Sequence, residues 1–242
     1  MIQIRKAKEC GHANYGWLDS YHTFSFAEYF DPKQMGFSVL RVLNDDTVAP
    51  GAGFPTHPHR DMEIVSYVLE GGLEHKDNLG NGSVILQGEV QRMTAGTGVT
   101  HSEYNTSATE PLRFLQIWIL PNQRRLTPGY EQRRFDPAAT QGKLRLVGSP
   151  DGRDGSVTIH QDVALYCATL AEAESVKHLL PKGRCAYIHV ARGNVQLNRM
   201  DLHEGDGARV FDENAIQLDG TDSGEVLLFD LPADKADSRQ YL

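Results

Sequence analysis

Thiols, long apolar runs and positive charge are all in short supply in this 242-residue chain. Its three cysteines, Cys10, Cys167 and Cys185, are scattered without paired spacing, which excludes a disulfide framework and suits a reducing compartment. No run approaches the ~18 apolar residues of a membrane span. The opening MIQIRKAKECGHANYG lacks the apolar stretch of a secretion signal, so a cytoplasmic protein is expected. Lys plus Arg number 24 against 32 Asp plus Glu, a formal net charge of -8. A phosphate-binding surface needs concentrated positive charge, so nucleic acid is not an expected partner, and without an apolar span neither is a membrane. The densest basic spots, Arg124-Arg125 and Arg133-Arg134, are short and read as a solvated linker or ion pairs. The expected state is a monomer.

With 40% hydrophobic residues the chain can bury real cores, and the pattern of those residues is that of strands. FSVLRVLN (37–44), MEIVSYVLEG (62–71), GSVILQGEVQRMTAG (82–96) and LRFLQIWILP (112–121) are short, rich in β-branched and aromatic residues, and bounded by Gly, Asn, Asp or Pro. DNLGNGS (77–83) supplies Asn and Gly where a hairpin needs positive φ, and it predicts that 62–76 pairs with 83–94.

The second half repeats the idiom. CAYIHVARGNVQLN (185–198), LHEGDGARVFDENAIQLDG (202–220) and EVLLFDLP (225–232) follow the order of strands, Gly turns and closing Pro seen earlier, as in a duplicated barrel. The polar, Pro- and Gly-bearing stretch 121–144 reads as the linker. This gives two domains, 1–135 and 136–242. Periodicity leaves LAEAESVKHLL (170–180) open between a helical turn and a strand, and the polar tail 233–242 reads as frayed.

Chemistry concentrates in two short segments, His57-Pro58-His59 and, 42 residues after His59, His101-Ser102-Glu103. Residues two apart on a strand share a face. If the two strands meet across a barrel, three imidazoles and a carboxylate converge. Imidazoles with one hard carboxylate suit an octahedral transition metal that keeps open positions, whereas a closed structural zinc site would recruit thiolates. The metal-ligand expectation is therefore His57, His59, His101 and an acid. FDENAIQL stands in the second half where GVTHSEYN stood in the first, so only the first half is expected to bind metal.

Two acids compete. On a regular strand His57, His59, Asp61 and Glu63 share a face, and so do His101 and Glu103. Glu63 lies four residues beyond His59, roughly 13 Å at ~3.3 Å per residue, so distance favours Glu103 unless the sheet bends. Glu63 then suits a hydrogen-bonding role.

Gly51, His57, His59 and Glu63 follow the first cupin motif, Gly-x5-His-x-His-x3-Glu, with Gly71 one residue late. Gly98, His101 and Asn105 follow the end of the second, where Gly96 replaces the usual Pro and relaxes the constraint on the turn. GWLDSYHTFSFAEYFDP (16–32), THPHRDMEIVSYVLEGGLEHKDNLGN (56–81), MTAGTGVTHSEYN (93–105) and QIWILP (116–121) closely resemble the pirin family in its bacterial, quercetinase-like branch. The resemblance runs over essentially the whole chain.

That resemblance implies an all-β bicupin with few short helices, whose two barrels face each other and whose metal sits in the first. It selects Glu103 as the fourth ligand, acting also in catalysis. It implies Fe(II) as the metal, with Mn, Ni, Co, Cu or Zn as alternatives. It further implies oxidative ring opening of the flavonol quercetin with O2 and release of carbon monoxide. Eukaryotic members of the family act as coregulators, which implies the alternative of a redox-sensing protein with a protein partner. Fold alone would also allow a cupin isomerase or a sugar-binding protein.

A flat aromatic substrate needs an apolar mouth, for which Phe24, Phe26, Phe37, Phe54 and Met93 are candidates. His12, His22 and His75 read as ordinary residues, and His160, His178, His189 and His203 receive no role.

Overall fold

The computed structural model describes residues 1–233. The tail expected to be frayed lies, apart from Ala233, outside the described residues. In the first half the strands are β1 (Ile2–Arg5), β2 (Gly11–Asn14), β3 (Leu18–His22), β4 (Leu40–Val48), β5 (Gly53–His59), β6 (Glu63–Glu70), β7 (Gly72–Asp77), β8 (Gly82–Leu86), β9 (Glu89–Thr94), β10 (Val99–Asn105), β11 (Leu112–Ile119) and β12 (Gly129–Arg134). The second half carries β13 (Arg145–Ser149), β14 (Val157–Thr158), β15 (Ala164–Ala171), β16 (Ser175–Leu179), β17 (Arg184–Leu197), β18 (Met200–His203), β19 (Gly207–Val210) and β20 (Ala215–Pro232). Three short 3-10 turns are the only helical pieces among the described residues, so the fold is all-β. Among the described residues no helix is long and apolar enough to cross a membrane.

The first barrel closes a four-stranded sheet, β5-β10-β7-β8, onto a seven-stranded one, β12-β9-β6-β11-β4-β3-β2. The eight strands of the second half form, together with β1, one nine-stranded sheet built around β17 and β20. We retain 1–135 and 136–242 as a proposed division. One strand crosses it, because β1 pairs with β19, Ile2 opposite Val210. The stretch read as linker contributes β12, which pairs with β9, and the undecided stretch 170–180 is a strand end followed by β16.

The predicted pairing of 62–76 with 83–94 is present, shared between two sheets. The turn at 78–81 joins β7 to β8, with Gly72 opposite Leu86 and Lys76 opposite Gly82, and β6 pairs with β9, Glu63 opposite Thr94, in the other sheet, where β11 is its second neighbour. The chain changes sheets at Gly71, which has φ +79, a conformation glycine reaches without steric cost.

β6 is buried along almost its whole length because both of its faces are covered. Val65, Tyr67 and Leu69 pack with Leu165, Tyr187, Leu227 and Phe229 of the second half in one apolar core. Ile64 and Val68 point the other way, into clusters within the first half. β11 has the same two faces, with Leu115, Ile117 and Ile119 toward the second half and Phe114 inward. The even-numbered positions of β6 and β11 thus form one wall of the first barrel. The second half has a matching apolar cluster that includes Leu170, Ile188, Val190 and Leu218.

Candidate metal centre

β5 and β10 are immediate antiparallel neighbours, closer than strands meeting across a barrel. His57 faces His101 and His59 faces Val99, and a register irregularity between His101 and Glu103 then sets Glu103 opposite Phe54. On β10 the alternation is clean, with His101 and Glu103 buried and Thr100 and Ser102 partly exposed between them.

The ring centroids of His57 and His101 lie 4.5 Å apart, those of His59 and His101 4.9 Å, and those of His57 and His59 4.8 Å. Candidate ligand atoms of these three residues fall within 4.8 Å of one another. A second such group, His75, His101 and Glu103, shares His101 with the first. Both groups are in the first half. Glu103 therefore adjoins the three imidazoles through His101.

The donor chemistry fits a metal. The buried Nε2 of His101 has no hydrogen-bond partner, an expensive state for a buried polar atom unless something binds it. Nδ1 of His57 lies 2.7 Å from the carbonyl of Pro55; a carbonyl only accepts, so Nδ1 carries the proton and Nε2 is left as a lone pair. Burial first, then His57, His59 and His75, hold the pKa of His101 down to about 2. Burial and His57 bring His59 down to about 4. Both rings are therefore neutral near pH 7, as ligation requires.

Glu103 is surrounded from the barrel wall. Gln116 on β11 donates to it at 3.0 Å and Ser66 on β6 at 3.4 Å, both from inward-facing positions. Burial, with Asp46 nearby, nevertheless raises its pKa to about 7. Asp46, on β4, is raised to about 7 as well, chiefly by burial and against a hydrogen bond from Ser20. Two buried carboxyls that hold protons this readily mark a place where a cation would be stabilised.

Glu63 belongs elsewhere. The strand breaks after His59, and Asp61 has φ +50. Glu63 then begins β6 on the face toward the second half, where it accepts from the backbone N–H of His160 at 3.1 Å and lies 3.2 Å from its Nδ1. Thr94 donates to the same oxygen at 3.2 Å. His160, given no role in the sequence, thus helps join the halves. The turn at Gly96 is tight and uses the freedom that glycine brings to the usual Pro place. Its φ is +45, which proline cannot adopt, and a Cβ there would lie 2.0 Å from the carbonyl oxygen of Leu126.

A cavity of about 550 Å³ opens beside the centre, lined by His57, His59, Glu103 and Asp46. Phe26 and Phe54 line it as expected, together with Trp17 and Trp118. Phe24 and Phe37 are core residues between the halves, and Met93 packs with Ile64 and Val99. Among the near-motif histidines only His12 is ordinary surface, paired with Asp19 at 2.5 Å. His22 is a buried residue of the cavity wall.

His75 is fully buried, and burial lowers its pKa. The signal that could have found it is His75-Lys76-Asp77, a same-face His/Asp pair in phase with apolar Leu73. Gln116 had a comparable signal, a lone amide within the apolar run FLQIWIL.

The pirin family profile matches residues 3–119, and the profile of the quercetinase C-terminal cupin domain matches residues 146–231. A protein of Escherichia coli strain K12 named quercetin 2,3-dioxygenase is 55% identical over 96% of this chain and 99% of its own length. The crystal structure of YhhW from Escherichia coli superposes with a TM-score of 0.93 at 54% identity, covering 96% of this chain and 98% of that one. The structure of bacterial pirin YhhW in complex with nickel(II), also from Escherichia coli, gives 0.92 at 53%, covering 96% of this chain and all of the other.

Proposed function

Since the chain belongs to the pirin family, we propose that it is a metal-dependent dioxygenase that opens the central ring of quercetin with O2 and releases carbon monoxide. The observation that carries this reading is the opening of neutral imidazoles and a proton-holding carboxyl onto one aromatic-walled cavity. The relative named quercetin 2,3-dioxygenase supports the substrate class.

His57, His59, His101 and Glu103 would hold one divalent transition metal, with Fe(II) the first choice and nickel(II) supported by the relative's complex. When bound, the metal supplies Lewis acidity toward a substrate oxygen and a site for O2 chemistry.

The remaining work falls to the chain. Glu103, which gives up its own proton when the metal binds, is placed to take the proton of the flavonol 3-hydroxyl. Gln116 and Ser66 fix its direction. Proton loss leaves an electron-rich enolate, the form that reacts with O2. Trp17, Phe26, Phe54 and Trp118 offer faces and edges to the flat ring system and exclude water.

The test is oxygen uptake and carbon monoxide release with quercetin, using protein reconstituted in turn with Fe, Mn, Ni, Co and Cu. Turnover that depends on the metal is expected. Absence of turnover with all five metals overturns the proposal.

A further inference from the structure

We infer that His75 is a positioning residue for the centre, forming with Asp77 a buried relay that keeps the ring proton of His101 on Nδ1 and its Nε2 lone pair toward the site. The inference rests on the reading of His57, His59 and His101 as ligands, and it concerns which nitrogen of His101 is free to serve.

β7 lies beside β10 with His75 opposite Glu103 and Asp77 opposite His101. The side chains of His75 and Asp77 are 1% and 0% exposed. Glu74 and Lys76 alternate with them on the solvent face, where they pair at 2.9 Å. The strand thus sends one His/Asp pair inward by parity alone.

The relay begins at Asp77. One of its oxygens accepts from the backbone N–H groups of Leu79 and Asn81 at 2.9 and 3.0 Å. The other accepts from the side-chain amide of Asn81 at 2.8 Å and lies 3.1 Å from Nε2 of His75. A carboxylate ringed by three N–H donors is an acceptor, so Nε2 of His75 carries a proton. In the neutral ring Nδ1 is then a lone pair.

That lone pair lies 3.4 Å from Nδ1 of His101. Two lone pairs cannot face each other favourably, so His101 donates from Nδ1. Its remaining nitrogen, the buried and unpartnered Nε2, is left as an acceptor in the form a metal needs. The hydrogen bond at one ring nitrogen sets the role of the other. His57 reaches the same state through the Pro55 carbonyl alone. His101 points deeper into the barrel and reaches an anchored acceptor only through a second ring. Tyr130, with its ring centroid 4.9 Å from that of His75, packs against this second ring.

The test reads the tautomer directly in metal-free protein, from long-range 1H–15N spectra of the ring nitrogens, and measures nickel(II) affinity alongside. In the native protein His101 should be protonated at Nδ1 and unprotonated at Nε2. Asp77→Asn and His75→Leu should both shift His101 toward the Nε2-protonated form and weaken nickel(II) binding by about 10–100-fold, the usual loss on removing an outer partner of a ligating histidine. His75→Gln keeps an acceptor and should recover most of the affinity and the native tautomer. This comparison at position 75 decides the matter even if Asp77→Asn disturbs its turn. A native His101 protonated at Nε2, or a folded His75→Leu protein with unchanged tautomer and affinity, overturns the relay. Should nickel(II) fail to bind any form while the tautomers follow this pattern, the relay stands and the ligand reading falls.

Discussion

His57 and His101 are register partners on adjacent strands, their ring centroids 4.5 Å apart. Spatially, the two histidine motifs form one ladder rung with its neighbours, so the centre depends on the β5–β10 register. A one-residue slip would turn every side chain of a strand to the other face. His57→Ala and His101→Ala should each weaken metal binding by roughly 100-fold or more, beyond the 10–100-fold typical of an outer partner. Metal content after dialysis checks this, with thermal unfolding of the metal-free forms as the control for folding.

Glu103→Gln keeps the shape and one acceptor oxygen but loses the base. The expected result is a fall in kcat of ~10²–10⁴-fold, the range of a lost general base. Quercetin should still bind in the aromatic cavity. Steady-state kinetics at saturating metal, with quercetin affinity measured separately under anaerobic conditions, would show the split.

A carboxyl raised to about 7 holds its proton below that pH, and a cation must expel it. His59 and His101, at about 4 and about 2, are already neutral and release nothing there. Metal affinity should therefore rise with pH up to about 7 and then level off. Glu103 should contribute about one proton per metal bound near pH 6 and little near pH 8. Calorimetry in buffers of different ionisation enthalpy measures the release, and Glu103→Gln should abolish this component.

Glu63→Gln leaves the centre untouched and weakens a charged acceptor between the halves. Metal content should stay near that of the native protein. Stability should fall by about 1 kcal/mol, because a hydrogen bond to a charged group becomes a neutral one. Denaturant unfolding and metal analysis of one preparation test both parts, and loss of metal would return Glu63 to the ligand set.

At Gly96 a side chain is strained by φ +45 and blocked by the Leu126 carbonyl. Gly96→Ala should cost about 1–3 kcal/mol, or a fall in Tm of several degrees for a protein of this size.

Parity made most of the site legible in sequence. Alternation put His101 and Glu103 on one face, and the two-residue spacing joined His57 to His59. It failed where the chain leaves a regular strand. The break at Asp61 restarts the count, so Glu63 begins a new strand facing the second half, beyond what spacing from His59 could foresee. The hairpin pairing of 62–76 with 83–94 was legible, but the sheet change at Gly71, which divides it between two sheets, was not. His75, Asp46 and Gln116 come from strands brought in by the barrel, each with only a single polar residue or a same-face pair as a local sign. The split of Phe24 and Phe37 from Phe26 and Phe54 depends on which aromatic rings meet the second half, a tertiary fact.

The pairing of β1 with β19 joins strands made far apart in time. Ile2 and Val210 are separated by some 200 residues, on the order of 10–40 s of synthesis at ~5–20 residues per second. Throughout that interval the early strand lacks its edge partner, and the β6 and β11 faces that meet the second half stay uncovered. A ribosome can thus deliver the metal-binding barrel long before the chain closes, which leaves a window for chaperone capture, premature metal loading or exchange of the waiting strand between copies.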